Sequence, residues 1–199
     1  LSLAKKRPAL YIGSTMTTNE TGDIIIVGAG AAGLTSALAL AQAGRSVTLI
    51  GKPDLSATAR TVALFDGSLK LLANLGVIDR LRADFAALET MRIVDDTGSL
   101  FRTPPVDFRA SEIGLDVFGE NIENRLLVGH LLESVRQEPR ITLIEAVVTE
   151  AQTGDQSASV TLEDGRKLSA KLLVAAEGRK SILRQAAKIE TRNWAYPQV

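Results

Sequence analysis

Between Asp23 and Ile50 the chain reads DIIIVGAGAAGLTSALALAQAGRSVTLI, and the period of its apolar positions changes partway. Ile24, Ile25, Ile26 and Val27 form a continuous β-branched run, which predicts a strand buried on both faces. Gly28-Ala29-Gly30-Ala31-Ala32-Gly33 then reads as a turn. Small and apolar residues over 31–43 predict a helix, which Gly44 ends with a left-handed cap. Residues 46–50 predict a second strand. Downstream, Leu64, Leu69, Leu71, Leu72 and Leu75 predict a helix over 64–76, and a second short helix is expected over 77–88. Residues 91–95 alternate like a strand, Asp96-Thr97-Gly98 turns, and 99–102 is read as the returning hairpin partner. Residues 103–122 show no clear period. Leu126, Leu127, Leu131, Leu132 and Val135 share one side of a helix predicted over 124–136. Strands are expected over 141–148, 159–162 and 168–176, with a turn at Glu163-Asp164-Gly165. After Glu177-Gly178 comes a short helix over 180–187. There is no internal repeat and no low-complexity tract.

The first of these stretches carries recognisable chemistry. A G-x-G-x-x-G that leaves a strand, opens a helix and closes a βαβ unit of about 30 residues is the setting of a dinucleotide site. Gly28 permits the tight turn, Gly30 lets a pyrophosphate approach the backbone, and Gly33 allows close packing of helix on sheet. The helix N-terminus offers N–H groups and a positive dipole end to the phosphates. An acid is expected after the second strand, on the adenosine ribose. Gly51 stands there instead. Asp54 could substitute if its loop folds back, and Lys52 keeps a 2′-phosphate ligand open.

Composition narrows the picture further. The 199 residues are 45% hydrophobic and 23% charged, and 23 basic residues balance 23 acidic ones, so nothing points to a nucleic-acid surface. The chain has no cysteine, which excludes disulfides, thiolate metal sites and cysteine nucleophiles. A single histidine, His130, argues against a histidine metal site or a Ser-His-Asp triad, and no role is assigned to it. No catalytic side chain and no metal site are expected. The uncharged run over 24–43 has the length of a membrane span. Its glycines, its Thr35, Ser36 and Gln42, and its change from strand to helix weigh against one. Residues 1–21 are expected to be a leader or non-native extension outside the fold, and the abrupt end at Val199 suggests truncation.

Several short signals combine in one order. They are Arg60-Thr61-Val62-Ala63-Leu64, Asn124-Arg125-Leu126-Leu127, Leu173-Val174-Ala175-Ala176-Glu177-Gly178-Arg179-Lys180-Ser181-Ile182-Leu183-Arg184, and Thr191-Arg192-Asn193-Trp194-Ala195-Tyr196-Pro197-Gln198. With the glycine turn they resemble the FAD-dependent aromatic hydroxylases of the para-hydroxybenzoate hydroxylase superfamily, and within it the ubiquinone-biosynthesis hydroxylases. The resemblance covers about residues 22 to 199, the N-terminal half of such an enzyme.

That resemblance implies an α/β fold: a Rossmann-like FAD-binding domain with part of a β-rich substrate domain, C-terminally truncated. Residues 22–199 would form a discontinuous FAD-binding domain, with 89–110 and 190–199 contributing to an incomplete substrate domain. It implies FAD as cofactor and NAD(P)H as co-substrate, with O₂ hydroxylating a phenolic or polyprenyl-phenol ring. It implies cofactor-binding roles for Gly28, Gly30, Gly33, Arg60, Asn124, Glu177 and Gly178. Glu177-Gly178 stands where the family has Asp-Gly, and Ser181 and Arg184 match later positions of that motif. A cytoplasmic location follows, with peripheral membrane or biosynthetic-complex association open. Taken singly, Arg60 also reads as a solvated loop cation, Asn124 as a helix N-cap, and Glu177 as an exposed acid. Trp194 and Tyr196, alternating on a strand, read as packing residues. Other readings of the chain are a prenyl-reductase or halogenase-type flavoprotein, an NAD(P)-dependent dehydrogenase, and a non-catalytic dinucleotide-binding fragment.

Overall fold

The computed structural model describes residues 19–20, 22–56, 60–98, 102–154 and 157–195. In chain order the strands and helices are β1 (Asn19–Glu20), β2 (Ile24–Val27), α1 (Ala31–Gln42), β3 (Val47–Ile50), β4 (Thr61–Phe65), α2 (Asp66–Asn74), α3 (Ile78–Leu81), β5 (Ala86–Ala87), β6 (Thr90–Ile93), β7 (Val106–Arg109), β8 (Gly119–Glu123), α4 (Asn124–Gln137), β9 (Ile141–Ile144), β10 (Val148–Thr153), β11 (Ala158–Leu162), β12 (Lys167–Ala170), β13 (Leu172–Ala175) and α5 (Ile182–Ala186).

A parallel sheet in the order β13-β2-β3-β9 forms the middle layer. All four residues of β2 and all four of β3 are buried, as a strand covered on both faces requires. Alternate side chains go to opposite layers. Ile24, Ile26, Val47 and Leu49 pack with Leu34 and Leu38 of α1 and Leu127, Leu131 and Val135 of α4. Ile25, Val27 and Ile50 pack with Val148, Val160, Leu162 and Leu168 of a second sheet, ordered β1-β12-β11-β10. The result is helices, parallel sheet and a mostly antiparallel sheet stacked in three layers. Gly44 (φ +81°) and Gly76 (φ +71°) end α1 and α2 in the left-handed region, as glycine after a helix commonly does.

Several elements differ from the sequence reading, and each difference has a tertiary cause. The helix expected over 64–76 begins only at Asp66, because 61–65 is β4, paired antiparallel with β8. The helix expected over 77–88 is one turn, α3, followed by a 3₁₀ turn at Arg82–Asp84 and by β5, which also joins β8. The region without period therefore contains the central strand of a three-stranded sheet. β6 pairs with β7; of the hairpin partner expected at 99–102, residues 99–101 lie outside the described residues. Arg92 grips Asp107 with two hydrogen bonds, at 2.7 and 2.9 Å, which pins that pairing. The strand expected over 141–148 divides into β9 and β10, and that over 168–176 into β12 and β13. Each pair feeds two different sheets, which an apolar run cannot signal. The helix expected over 180–187 is a 3₁₀ turn, Gly178–Lys180, then α5. Asn19 and Glu20 sit inside the stretch expected to lie outside the fold, yet pair with Leu168 and Ser169. Residues 191–195 form no strand, in contrast to the expected one, and Trp194 is largely exposed; Tyr196 lies outside the described residues.

Candidate functional site

The C-terminal ends of the four adjacent parallel strands β13, β2, β3 and β9 meet at one cleft. The Gly28 N–H donates to the Ile50 carbonyl at 2.7 Å, Ala176 N–H to Val27 at 2.7 Å, and Gly51 N–H to Ile144 at 3.0 Å. The strand–glycine–helix junctions at Gly28 and at Gly178 are thus side by side, although far apart in sequence. Between them opens a cleft of about 550 Å³, lined by Gly28, Gly30, Gly51, Lys52, Glu177 and Gly178 among others. It lies at the carboxyl edge of the strands, where open α/β sheets bind ligands.

The three glycines of the turn have different surroundings. A Cβ on Gly28, whose φ is +114°, would run into the Ala176 carbonyl. A Cβ on Gly33 would run into the carbonyl of Gly28. Around Gly30 nothing lies within 4 Å of that position. Two glycines therefore serve internal packing, and the middle one leaves open space on the exposed face of the turn. Gly30 is also the N-cap of α1, and no side chain caps the helix. Its leading N–H groups remain for an outside acceptor.

The second junction is built around Glu177. Its carboxylate accepts the Ser181 hydroxyl at 2.5 Å and the N–H groups of Ile182 and Leu183 at 3.1 and 3.3 Å. Ser181 Oγ in turn accepts the Arg184 N–H at 3.0 Å. Glu177 and Ser181 together satisfy the start of α5. The carboxylate is thus spent on shaping the junction, which excludes its reading as an ordinary exposed acid. Gly178 has φ +77°, a left-handed conformation that an L-residue adopts at a cost.

Arg60 and Asn124 are brought together away from the cleft walls. The Asn124 N–H donates to the Arg60 carbonyl at 2.9 Å, where β4 meets β8 and α4 begins. Asn124 is the first helical residue and not the N-cap; that position is Glu123, with no side-chain cap bond. Glu123 is paired with Arg125 at 2.7 Å. Among the described residues the Arg60 guanidinium forms no ion pair. Asp54, the candidate ribose acid, is occupied in its own loop: hydrogen bonding from the Ser56 side chain, and from the Ser56 N–H at 3.0 Å, holds its carboxyl below the usual aspartate value. Lys52 is paired with Glu163 at 2.8 Å and does not stand free as a 2′-phosphate partner. No motif marks the 146–148 segment, which lines the cleft, nor Glu163, which is bonded to the cleft residues Lys52 and Val147. The sequence reading also passed over Lys180, which brings a cation to the same cleft.

Among the described residues no group of His, Asp and Glu could hold a metal ion, and no helix is long and apolar enough to cross a membrane.

Fold and cleft define the class first: a Rossmann-like dinucleotide-binding α/β domain, with a glycine cradle open at Gly30. Over residues 21–196 the chain matches the family described as "FAD binding domain", and it belongs to that family. It is 32% identical over 193 residues to the 3-demethoxyubiquinol 3-hydroxylase of Escherichia coli (strain K12), covering 91% of this chain and 47% of that one. It is 32% identical over 191 residues to the ubiquinone hydroxylase UbiL of Rhodospirillum rubrum, covering 92% and 43%. The fold is that of the flavin-dependent monooxygenase PieE in complex with FAD and substrate, with TM-score 0.74, 20% identity and coverage of 87% and 33%. It is equally that of p-nitrophenol 4-monooxygenase PnpA from Pseudomonas putida, with TM-score 0.69, 21% identity and coverage of 86% and 44%. The chain spans less than half the length of these relatives.

Proposed function

We propose that this chain is the FAD-binding portion of a monooxygenase that hydroxylates a phenolic or polyprenyl-phenol ring in ubiquinone biosynthesis, using NAD(P)H and O₂. The observation that carries the reading is the open space at Gly30, flanked by two glycines that internal packing closes. A cradle of this shape suits a pyrophosphate, and the curated relatives are ubiquinone hydroxylases.

The residues present fit the ADP half of FAD. Gly28, Gly30 and Gly33 form the turn beneath the pyrophosphate, and the uncapped start of α1 directs N–H groups at it. Arg60, its guanidinium unpaired among the described residues, would supply a cation to the pyrophosphate. Asn124, half-buried and fixed to Arg60 through the backbone, would offer a polar side chain to the ribityl chain. Glu177 holds Gly178 in its left-handed turn, so this junction meets the dinucleotide through its backbone. FAD, when bound, supplies the redox chemistry, and the protein binds, orients and shields. The ribbon β6–β7 belongs to the substrate-binding part, as does 190–199. Association with a membrane surface or a biosynthetic complex accords with a polyprenyl substrate.

The visible absorption spectrum of the purified full protein tests this. Flavin bands are expected. A colourless protein that retains tight NADP binding would overturn the proposal.

A further inference from the structure

At the end of β3, dinucleotide-binding units carry an acid for the adenosine ribose, and here the residue is Gly51. The backbone forbids a side chain there. A Cβ on Gly51 would sit 2.6 Å from the Ala29 nitrogen and 3.1 Å from the Ala29 Cβ. The acid has to come from elsewhere or be missing.

Glu177 lines the cleft but its carboxylate is taken up by Ser181, Ile182 and Leu183, whereas the carboxylate of Glu163 is tied to this edge through two cleft-lining neighbours. Glu163 opens the turn between β11 and β12. Its N–H donates to the Val147 carbonyl at 2.9 Å, and Val147 lines the cleft. Its Oε1 accepts the ammonium of Lys52 at 2.8 Å, and Lys52 follows Gly51 and lines the same cleft. Glu163 is therefore tied to the cleft at two points, by backbone to one wall and by side chain to the residue beside Gly51. The Lys52 ammonium and hydrogen bonding from the Val147 backbone hold its carboxyl below the usual glutamate value, so it is ionised at neutral pH. An ionised carboxylate has about four acceptor sites, and Lys52 takes one. With the side chain 46% exposed, acceptor capacity remains for a ligand.

We propose that Glu163, positioned by Lys52, is the acid that accepts the adenosine ribose hydroxyls of the bound dinucleotide, replacing the one that Gly51 cannot carry. The inference rests on the FAD reading of this cleft. It also names the ligand chemistry. A ribose diol offers O–H donors to the carboxylate. A 2′-phosphate would meet the charge of Glu163 and a lysine already neutralised by it.

The test uses the full protein, freed of cofactor, with flavin fluorescence reporting affinity. Two ligands are compared: FAD, and an FAD analogue whose adenosine ribose lacks both hydroxyls. Loss of a hydrogen bond to a charged group is expected to make Glu163→Gln bind FAD on the order of tenfold to a hundredfold more weakly. Its affinity for the dideoxy analogue should match that of the wild type. Lys52→Met should weaken FAD by a smaller factor, again without effect on the analogue. Melting of the apoprotein should be unmoved in both variants, as for an exposed ion pair. Equal FAD affinity for wild type and Glu163→Gln overturns the inference, as does an equal loss for both ligands. A wild-type protein that binds no flavin overturns the FAD reading itself, which is a separate result.

Discussion

At the residue scale, the three glycines of the turn are separable by experiment. Gly30→Ala places a methyl group in open space. It should leave the denaturation midpoint nearly unchanged while lowering FAD affinity at least tenfold, because the methyl occupies the approach to the phosphates. Gly33→Ala drives a Cβ into the Gly28 carbonyl. It should destabilise the fold by about 1–3 kcal/mol, as overpacking does, with urea denaturation as the measure. If both variants lost only stability, the cradle would be a packing turn and nothing more. Glu177 makes a different kind of prediction. Three of its hydrogen bonds hold the start of α5 together, so Glu177→Ala should cost about 1–2 kcal/mol, the scale of a lost cap. Glu177 was marked as a site residue in the sequence because it stands at a strand–Gly–helix junction. That its carboxylate is consumed by Ser181, Ile182 and Leu183 could not be read there, since it depends on the turn closing back on itself.

At the scale of elements, legibility followed sheet partnership. α1 and α4 emerge from the sequence almost to the residue, because a helix carries its own period and its own stops. β2 and β3 do also, because a strand buried on both faces is a continuous apolar run. The failures lie where a strand's identity depends on a distant partner. β8 was invisible within 103–122, and β4 was absorbed into a helix, since the two define each other only by pairing. The β6–β7 ribbon is such a case, and its register rests on the Arg92–Asp107 pair. Arg92 holds the Asp107 carboxyl below its ordinary value of 3.8. A carboxylate lowered in the folded state contributes stability above its unfolded pKa, and that contribution is lost as pH falls through the folded value. The ribbon amides should therefore exchange faster with solvent as pH drops below about 4, relative to the intrinsic rate. Hydrogen exchange followed by mass spectrometry checks this, and in Asp107→Asn the pH dependence should disappear.

At the scale of the molecule, two junctions far apart in sequence become neighbours because β13 lies beside β2 in parallel. The cleft exists only through that pairing. Met91, Ile93, Val94, Val106 and Phe108 on and beside the β6–β7 ribbon are exposed. The chain matches less than half of each ubiquinone-hydroxylase relative. By itself it is expected to bind FAD weakly and to hydroxylate nothing. Equilibrium dialysis against FAD and an assay of NAD(P)H oxidation check the two parts, and robust turnover would refute the second.

The amino-acid sequence alone determined the class of ligand and the principal βαβ unit. Both depend on local spacing: glycines at fixed intervals, a β-branched run before them, and a helical period after them. It also pointed to Gly28, Gly30, Glu177 and Gly178, which line the cleft, because motif and resemblance act position by position. Only the tertiary structure decided that Gly28 and Gly33 are closed by neighbouring backbone while Gly30 is open. It decided too that Gly51 cannot carry a side chain, and that Glu163, 111 positions from Lys52, is paired with it beside Gly51. The physical reason is common to all of these. Close approach of backbone to backbone, and of one charge to another, is fixed by which strands lie side by side, and a sequence pattern carries no record of its distant partners.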